Sequence, residues 1–296
     1  MPALDALVRW PVPTAAGAVV AADGPREVTG PTGWQVRIAS VTKPLFAYAC
    51  LVAVEEGTLG LEAPAGPPGS TVRHLLAHAS GLPFDGATPL AAPGVRRIYS
   101  NTGFDVLGDT LSAAAGMPAG DYLAEAVLRP LGMDATDLRG SVAKDGWSTV
   151  DDLAVFSREL LSPTLVGQDT LAEATREQFP GLAGVVPGLG SYDPNPWGLG
   201  FELKGAKAPH WTAPDGSPRT FGHFGGSGTF LWVDPDARLA CAVLTDREFG
   251  DWAPPLWSAA SAAVLAEHGS RTGRTGRNPG EVNPARTKPR EDETPR

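Results

Sequence analysis

The sequence predicts a mixed α/β protein of the α+β type, in which helices flank an antiparallel sheet built from both ends of the chain. Strand-like segments lie near both ends, at 15–29 and at 197–245, and helical segments fill the region between them. Strands and helices that are segregated along a chain in this way favour an antiparallel sheet. We therefore expect a sheet-and-helix subdomain over residues 1–60 plus 181–268, and an inserted all-helical subdomain over residues 61–180.

The first elements are a β-hairpin and a helix. AAGAVVAA at 15–22 has strand character, DGP at 23–25 is a turn, and REVTG at 26–30 returns antiparallel. The apolar residues of the following helix share one face: Val41, Leu45, Tyr48, Ala49 and Val52. Gly57 ends this helix, and Pro44 is compatible with it because a proline in the first turn loses no intrahelical hydrogen bond.

Helices and then strands follow along the rest of the chain. Short helices separated by glycine and proline are predicted at 71–79, 103–116, 117–132, 148–161 and 169–179. The β-rich segments are 197–203, 220–228, 229–235 and 238–245. A closing helix is predicted at 252–269. We expect residues 269–296 to be a disordered tail, because this segment has almost no apolar side chains.

The composition limits the partners of the protein. The 296-residue chain carries a formal net charge of −9 and has no basic patch before its C-terminal segment, so we expect no nucleic acid and no membrane surface as a partner. We find neither a secretory signal nor a run of about 18 apolar residues. This predicts a cytoplasmic protein that acts on a small molecule or short peptide. Cys50 and Cys241 stand in apolar segments and are expected to be buried free thiols.

Ser40 and Lys43 are the first candidates for catalysis. They stand three residues apart at the start of the predicted helix, so the lysine amine can reach the serine oxygen. The positive end of the helix dipole favours an alkoxide and disfavours an ammonium, as a nucleophile and its base require. The alternative is an accident of composition, because S-x-x-K is a weak pattern. A second copy, Ser141 and Lys144, lies in a predicted loop and is interpreted as such an accident.

Tyr99 and Asn101 form a second motif, Y-x-N. The phenol of Tyr99 exchanges a proton if a neighbouring cation lowers its pKa, and the carboxamide of Asn101 both donates and accepts hydrogen bonds. The alternative is that Asn101 is the N-cap of the following helix and that Tyr99 is an ordinary packing residue.

His223 lies in a glycine-rich β segment together with Gly225, Gly226 and Gly228. Glycines in a strand indicate that a ligand or another chain segment approaches the backbone closely. An imidazole donates or accepts a hydrogen bond near neutral pH. The alternative is a glycine-rich β-turn that carries a surface histidine.

The three motifs occur in the order S-x-x-K, Y-x-N, H-x-G, and this order resembles the superfamily of serine β-lactamases and penicillin-binding proteins. The similarity is greatest to the branch of class C β-lactamases, D-aminopeptidases and carboxylesterases, and it covers about residues 15 to 265. Further segments that resemble this branch are VRHLLAHASGL, RPLGM, STVDDLAVF, WGLGF and GHFGGSGTFLWVDP. The resemblance implies a β-lactamase/transpeptidase-like fold.

The resemblance also implies a role for each residue of the first two motifs. Ser40 would be the acylated nucleophile, Lys43 its proton partner and Tyr99 a second acid or base. The first base is left open between the lysine and the tyrosine, because closely coupled groups titrate together. Asn101 would hold the substrate amide and the lysine.

The third motif would edge the pocket through His223 and Gly225. The backbone N–H groups of Ser40 and Gly226 would form the oxyanion hole. Many relatives that act on β-lactams or D-Ala peptides carry Lys-Thr-Gly here, where the lysine and hydroxyl help to bind a substrate carboxylate. This chain has His223 and Phe224 instead, and a neutral imidazole and a phenyl ring hold a carboxylate poorly.

These observations predict a serine hydrolase that works through a covalent acyl-enzyme. Small esters are the first expectation, amides or D-amino-acid peptides the second, and β-lactams the third. A different class stays open as the alternative, in which the protein keeps the pocket as a non-catalytic binding or scaffold module.

Two other pairs of side chains are interpreted as structural. His74 and His78 stand four residues apart, but no third metal ligand accompanies them. Asp151 and Asp152 are interpreted as a helix start. We expect neither a metal nor a cofactor, since we find no nucleotide or dinucleotide motif.

Overall fold

A computed structural model describes residues 2–269, and the predicted tail lies outside the described residues except for Gly269. The strands of this range are β1 (Ala15–Ala21), β2 (Gly24–Thr29), β3 (Val36–Ala39), β4 (Arg97–Ile98), β5 (Asp137–Leu138), β6 (Gly146–Ser148), β7 (Gly184–Val186), β8 (Gly190–Tyr192), β9 (Glu202–Leu203), β10 (Phe221–Gly225), β11 (Thr229–Asp234) and β12 (Leu239–Thr245). Its α-helices are α1 (Thr42–Glu55), α2 (Val72–Leu76), α3 (Asn101–Ala115), α4 (Ala119–Leu123), α5 (Arg129–Leu131), α6 (Val150–Leu161), α7 (Gln168–Ala174) and α8 (Ala253–His268). A 3-10 helix spans Ala3–Arg9, and a π-helical turn spans Ala124–Leu128.

The largest sheet has six strands in the order β2-β1-β12-β11-β10-β9. Every neighbouring pair in it is antiparallel. β1 from the start of the chain pairs with β12 from its end, from Ala15 opposite Thr245 to Ala21 opposite Leu239. The predicted hairpin forms as β1 and β2. The prediction of an antiparallel sheet built from both chain ends is therefore confirmed.

Both faces of this sheet are covered. Along β12, Ala242 and Leu244 pack into a core shared with α1, α3 and α6, whereas Cys241 and Val243 pack into a second core with the 3-10 helix and α8. A strand that is buried on both faces needs apolar side chains at successive positions. Cys50 and Cys241 are both buried free thiols, as predicted, and burial raises the pKa of each.

Helix α1 runs through the centre of the larger core. All its residues from Thr42 to Ala53 are buried, so the helix is surrounded on every side rather than amphipathic. Among residues 2–269, no helix is long and apolar enough to cross a membrane. The cytoplasmic location stays a prediction.

The helical region differs in detail from the prediction. The helix expected at 117–132 consists of α4, the π-helical turn and α5, and Pro130 in its last part has no N–H to donate. The helix expected at 169–179 ends at Ala174. Residues 61–180 also contain β4, β5 and β6, which belong to two small sheets, β3-β6-β5 and β4-β7-β8. Strands of two or three residues are too short to show an alternating pattern. The division into subdomains stays a prediction.

Helix α6 confirms the interpretation of the paired aspartates. Its N-cap is Thr149, whose hydroxyl oxygen accepts a hydrogen bond from the backbone N–H of Asp152 at 3.1 Å. Asp151 and Asp152 lie in the first turn, where the positive end of the helix dipole stabilises carboxylates. They are a helix start.

Candidate active site

Ser40 lies at the junction of β3 and α1, where the chain turns sharply. The preceding residue, Ala39, has a φ of 45°, in the left-handed region that costs a residue with a Cβ about 1–2 kcal/mol. The pairing of β3 with β6, which sets Ala39 opposite Gly146, holds this turn. The carbonyl of Ser40 accepts the backbone N–H of Lys43 at 3.1 Å. The turn leaves Ser40 partly exposed, at the wall of a cavity.

Lys43 is fully buried, and three oxygen atoms surround its amine. Nζ lies 3.4 Å from Oγ of Ser40, 2.7 Å from Oδ1 of Asn101 and 2.8 Å from the carbonyl oxygen of Ala143. Burial holds the pKa of Lys43 well below its ordinary value, and the charge of Asp105 offsets only part of this effect. The direction is the one expected from the sequence, but removal from water is the largest cause. The neutral, basic form of the lysine is favoured.

Tyr99 follows β4, and its ring lies against Lys43, with Nζ 4.6 Å from the ring centroid. Burial raises the pKa of Tyr99 above its ordinary value, and a hydrogen bond with the Ser40 side chain offsets only part of this. The condition considered from the sequence, a neighbouring cation that lowers this pKa, is therefore not met, because removal from water dominates. At neutral pH Tyr99 is a protonated phenol, which is suited to donate a proton.

Asn101 is the first residue of α3, but it is not the cap of this helix. The N-cap is Ser100, whose hydroxyl oxygen accepts the backbone N–H of Gly103 at 2.8 Å. The Asn101 side chain instead accepts from Nζ of Lys43 and donates through Nδ2 to Oδ1 of Asp85 at 3.3 Å. The alternative interpretation of Asn101 as an N-cap is wrong, and its carboxamide holds the lysine in place.

The segment that carries Tyr99 is held by Arg97, a buried side chain that no motif indicates. Its guanidinium donates to the carbonyl oxygens of Ala77 at 2.6 Å, Gln178 at 2.6 Å and Asn195 at 3.1 Å. Burial lowers the pKa of Arg97 to about 10, so the group stays charged at neutral pH. One side chain thus joins three segments that are distant in the sequence.

His223 lies on β10, and its side chain is buried. Nδ1 donates to the carbonyl oxygen of Phe224 at 2.6 Å. Burial is the largest cause that lowers the pKa of His223 to about 3. The imidazole is therefore neutral at physiological pH. The alternative interpretation as a surface histidine is wrong.

The glycines of the third motif have two different surroundings. A Cβ on Gly225 would lie 2.3 Å from the carbonyl oxygen of Ile38 and 2.4 Å from Oγ1 of Thr229. The close approach at Gly225 is therefore that of another chain segment, β3. A Cβ on Gly226 would have no neighbour within 4 Å, and Gly226 lines the same cavity as Ser40.

Each of the three motifs contributes a residue to the wall of one cavity of about 210 Å³, whereas Lys43, Asn101 and Gly225 do not line it. It is lined by Ser40, Phe84, Tyr99, Val186, Pro187, Gly188, Trp197, Glu202, His223, Phe224, Gly226 and Phe249. Within the part of the chain that the structure describes, no lysine or arginine belongs to this lining. The wall is mainly apolar and aromatic.

Glu202 brings a carboxylate to this wall, and motif reasoning missed it. Oε1 accepts from Nζ of Lys207 at 2.7 Å, and Oε2 accepts from Nε1 of Trp211 at 2.8 Å. His210 adds a third contact, with Nε2 3.3 Å from Oε1. Burial alone would raise the pKa of Glu202, but Lys207 and the hydrogen bonds hold it below its ordinary value. The carboxylate is therefore already paired inside the protein.

Two further pairs were singled out in the sequence. His74 and His78 have different surroundings, and Ser141 and Lys144 lie outside the cavity. His74 caps the N-terminus of α2, whereas the His78 ring packs on Tyr99 with centroids 4.5 Å apart. Both are structural, and the position of His78 behind the phenol was not predicted. Ser141 and Lys144 lie in a turn, as expected, and neither lines the cavity.

Comparison with known proteins supports the same interpretation. A family model described as Beta-lactamase matches residues 14–265. The crystal structure of a beta-lactamase (Mb2281c) from Mycobacterium bovis is 55% identical, with a TM-score of 0.90, and the match covers 90% of this chain and 99% of that chain. The D-alanyl-D-alanine-carboxypeptidase/endopeptidase AmpH of Escherichia coli (strain K12) is 26% identical over 283 residues, covering 72% of this chain and 71% of that protein. Esterase EstB of Burkholderia gladioli is 32% identical over 144 residues, which cover 33% of this chain and 36% of EstB.

Proposed function

The chain belongs to the beta-lactamase family and is a serine hydrolase, and from this premise we propose that it hydrolyses small uncharged esters through an acyl-enzyme on Ser40. The observation that carries the proposal is the contact of Ser40 with Lys43 and Tyr99 beside an apolar cavity. Burial lowers the pKa of the amine and raises that of the phenol beside one hydroxyl, which supports proton transfer at Ser40 rather than a non-catalytic binding role. The partial similarity to esterase EstB also supports an ester substrate.

The proposed acylation step assigns one proton transfer to each neighbour of Ser40. Oγ attacks the ester carbonyl carbon, and its proton passes to Nζ of Lys43, 3.4 Å away. Tyr99 gives its proton to the alkoxide leaving group, and the proton on Lys43 then returns to the phenolate. The lowered pKa of the lysine and the raised pKa of the tyrosine support this division into base and acid. A water molecule then attacks the carbonyl carbon of the acyl-enzyme. The proton transfers run in the reverse order, Oγ of Ser40 regains its proton, and the acid is released.

The charge that develops on the carbonyl oxygen needs hydrogen-bond donors. The backbone N–H groups of Ser40 and Gly226 are proposed for this role, because both residues border the cavity. In enzymes of this type, removal of one such donor costs about 3–4 kcal/mol of transition-state stabilisation.

An uncharged substrate is favoured by the charges around the cavity. His223 is neutral, and the carboxylate of Glu202 is paired with Lys207. A substrate carboxylate would enter a largely apolar site without a counter-charge, which costs several kcal/mol. The second candidate function is hydrolysis of amides or D-amino-acid peptides, which the similarity to AmpH over 72% of this chain favours.

The acyl-enzyme is tested with p-nitrophenyl pentanoate and two matched variants. Turnover is expected to fall to background in Ser40→Ala and to persist in Ser141→Ala, since Ser141 belongs to the second S-x-x-K copy. A fluorophosphonate probe, located by peptide mass spectrometry, is expected on Ser40. Unchanged turnover in Ser40→Ala, or a label on Ser141, would refute the assignment.

The charge preference is tested with p-nitrophenyl hydrogen glutarate, which has a carboxylate at the end of a chain of similar length. The pentanoate ester is expected to have a kcat/KM at least about tenfold higher, because burying an unpaired charge is costly. Equal values would contradict the uncharged substrate class and leave the acyl-enzyme intact. Faster hydrolysis of D-alanyl-D-alanine peptides than of the pentanoate would select the second candidate.

A further inference from the structure

The two backbone N–H groups proposed for the oxyanion hole belong to two separate turns. The turn at 38–41 carries Ser40, and the N–H of its last residue donates to the carbonyl oxygen of its first at 3.1 Å. The turn at 225–228 carries Gly226 and is closed in the same way at 3.0 Å. The first turn lies at the end of β3 and the second joins β10 to β11, and these strands belong to different sheets. No strand pairing therefore sets the distance between the two donors.

Thr229, the residue that follows the second turn, links the two turns. Its Oγ1 donates to the carbonyl oxygen of Ile38 at 2.9 Å, and this is the same oxygen that closes the turn of Ser40. Thr229 is 0% exposed, so water does not compete for the hydrogen bond. Among the residues that the structure describes, no other direct hydrogen bond joins segments 36–40 and 221–229.

The two turns are also tightly packed at this point. Gly225 lies opposite Thr229 in the pairing of β10 with β11. A Cβ on Gly225 would lie 2.3 Å from the carbonyl oxygen of Ile38 and 2.4 Å from Oγ1 of Thr229. Thr229 does not belong to the lining of the cavity. Any effect of its hydroxyl on the reaction therefore passes through the backbone and not through a contact with the substrate.

We propose that Thr229 is a positioning residue of the oxyanion hole, whose hydroxyl holds the turn of Gly226 against the turn of Ser40. Both N–H groups need to lie about 2.7–3.1 Å from the developing oxyanion, and hydrogen bonds weaken as they lengthen. The distance between the turns therefore decides how well the two donors act together. This inference rests on the proposed acyl-enzyme hydrolysis and adds a residue that acts on it from outside the cavity.

The test compares Thr229→Val, which replaces the hydroxyl by a methyl group, with Thr229→Ser, which keeps the hydroxyl. In the valine variant kcat for p-nitrophenyl pentanoate is expected to fall about tenfold or more. The donor is displaced rather than removed, so the loss stays below the roughly 10²–10³-fold typical of a missing donor. KM is expected to change less than about twofold, because acylation and deacylation both form an oxyanion and slow down together. The serine variant is expected to recover most of the loss.

Two ketones of equal chain length separate an effect on the oxyanion from a general distortion of the cavity. With 1,1,1-trifluoro-2-heptanone, Oγ of Ser40 bonds to the carbonyl carbon, its proton passes to Lys43, and the carbonyl oxygen becomes an oxyanion. 2-Heptanone is the control that binds without this adduct. Thr229→Val is expected to raise the inhibition constant of the trifluoroketone about tenfold and to leave that of 2-heptanone unchanged.

The matched control variant is Thr220→Val, at the opposite end of the hairpin of β10 and β11. Thr220 is 3% exposed, its hydroxyl donates to Oδ2 of Asp234 at 3.2 Å, and it does not line the cavity. This variant is expected to destabilise the protein but to keep kcat within about twofold of the wild type. If Thr229→Val does not fold, Thr229→Ala and Thr229→Ser give the same comparison, because they differ only in the hydroxyl.

The outcomes separate this inference from the function on which it rests. An unchanged kcat in Thr229→Val, an equal loss in Thr220→Val, or no recovery in Thr229→Ser would overturn the positioning role alone. Equal weakening of both ketones would also overturn it. Absence of turnover that depends on Ser40 would overturn the proposed function and the positioning role together.

Discussion

Lys207→Met is predicted to destabilise the protein by breaking a buried ion pair in the cavity wall. Nζ of Lys207 lies 2.7 Å from Oε1 of Glu202, and the two side chains are 0% and 1% exposed. Removal of one partner from such a pair typically costs about 3–5 kcal/mol, because the other charge stays buried without compensation. We expect a loss in this range in the free energy of unfolding at pH 7.5, measured by urea denaturation.

The loss is expected to shrink at lower pH. In the wild type the pKa of Glu202 is held below its ordinary value, so its stabilising contribution is present above the unfolded-state pKa of about 4.3 and is lost as the pH falls towards the folded-state pKa. In Lys207→Met burial dominates and raises the pKa of Glu202. The folded variant then binds a proton that the unfolded chain has released, so acidification to pH 5.5 favours the folded state. His210 does not replace the missing charge, because burial lowers its pKa.

Two comparisons make this prediction refutable. Arg219→Met removes an exposed ion pair with Asp236, whose side chains are 69% and 50% exposed, and is expected to cost at most about 1 kcal/mol. The double variant Lys207→Met with Glu202→Gln removes both charges and is expected to recover much of the loss. A deficit for Lys207→Met no larger than that of Arg219→Met, or one that is the same at pH 5.5 and pH 7.5, would refute the reasoning.

Three further predictions concern the motif residues. Lys43→Arg keeps a cation where a neutral base is proposed, so kcat/KM is expected to fall about 10²-fold or more. The wild-type kcat/KM is expected to decline as the pH falls through the lowered pKa of Lys43, and the variant is expected to lose this decline. Tyr99→Phe is expected to slow alkyl esters about 10²-fold but p-nitrophenyl esters much less, because p-nitrophenolate leaves without a proton; equal losses would contradict a role as proton donor. Gly225→Ala is expected to lower the free energy of unfolding by about 1–3 kcal/mol, since its Cβ would lie 2.3 Å from the oxygen of Ile38, whereas Gly226→Ala is expected to change it little in the same denaturation assay.

The sequence predicted the parts of the site that depend on local spacing. Ser40 and Lys43 are one helical turn apart, and the motif order indicated that Asn101 and His223 belong with them. Arg97 and the buried pair of Glu202 with Lys207 were not predicted. The reason is that Arg97 binds carbonyls of segments 20 to 98 residues away, and such contacts exist only after the chain has folded.

The raised pKa of Tyr99 was not predicted, for a related reason. Neighbouring residue types indicate which charges are near, but the shift is dominated by the loss of water, which depends on how the whole core encloses the ring. The short strands of the two small sheets were missed because each has only two to four residues. Their pairing is set by partners far along the chain and not by a pattern of their own.

Removal from water is the largest cause of the pKa shifts of Lys43, Tyr99 and His223, and it favours the neutral form of each. A neutral amine accepts a proton and a neutral phenol donates one, so the same burial that separates base from acid also disfavours a positive charge on Lys43 and on His223. A site built in this way provides proton transfer but no counter-charge for a carboxylate. The mechanism proposed for Ser40 and the preference proposed for uncharged esters are therefore two consequences of one physical cause, and a variant that admits water to Lys43 is expected to weaken both together.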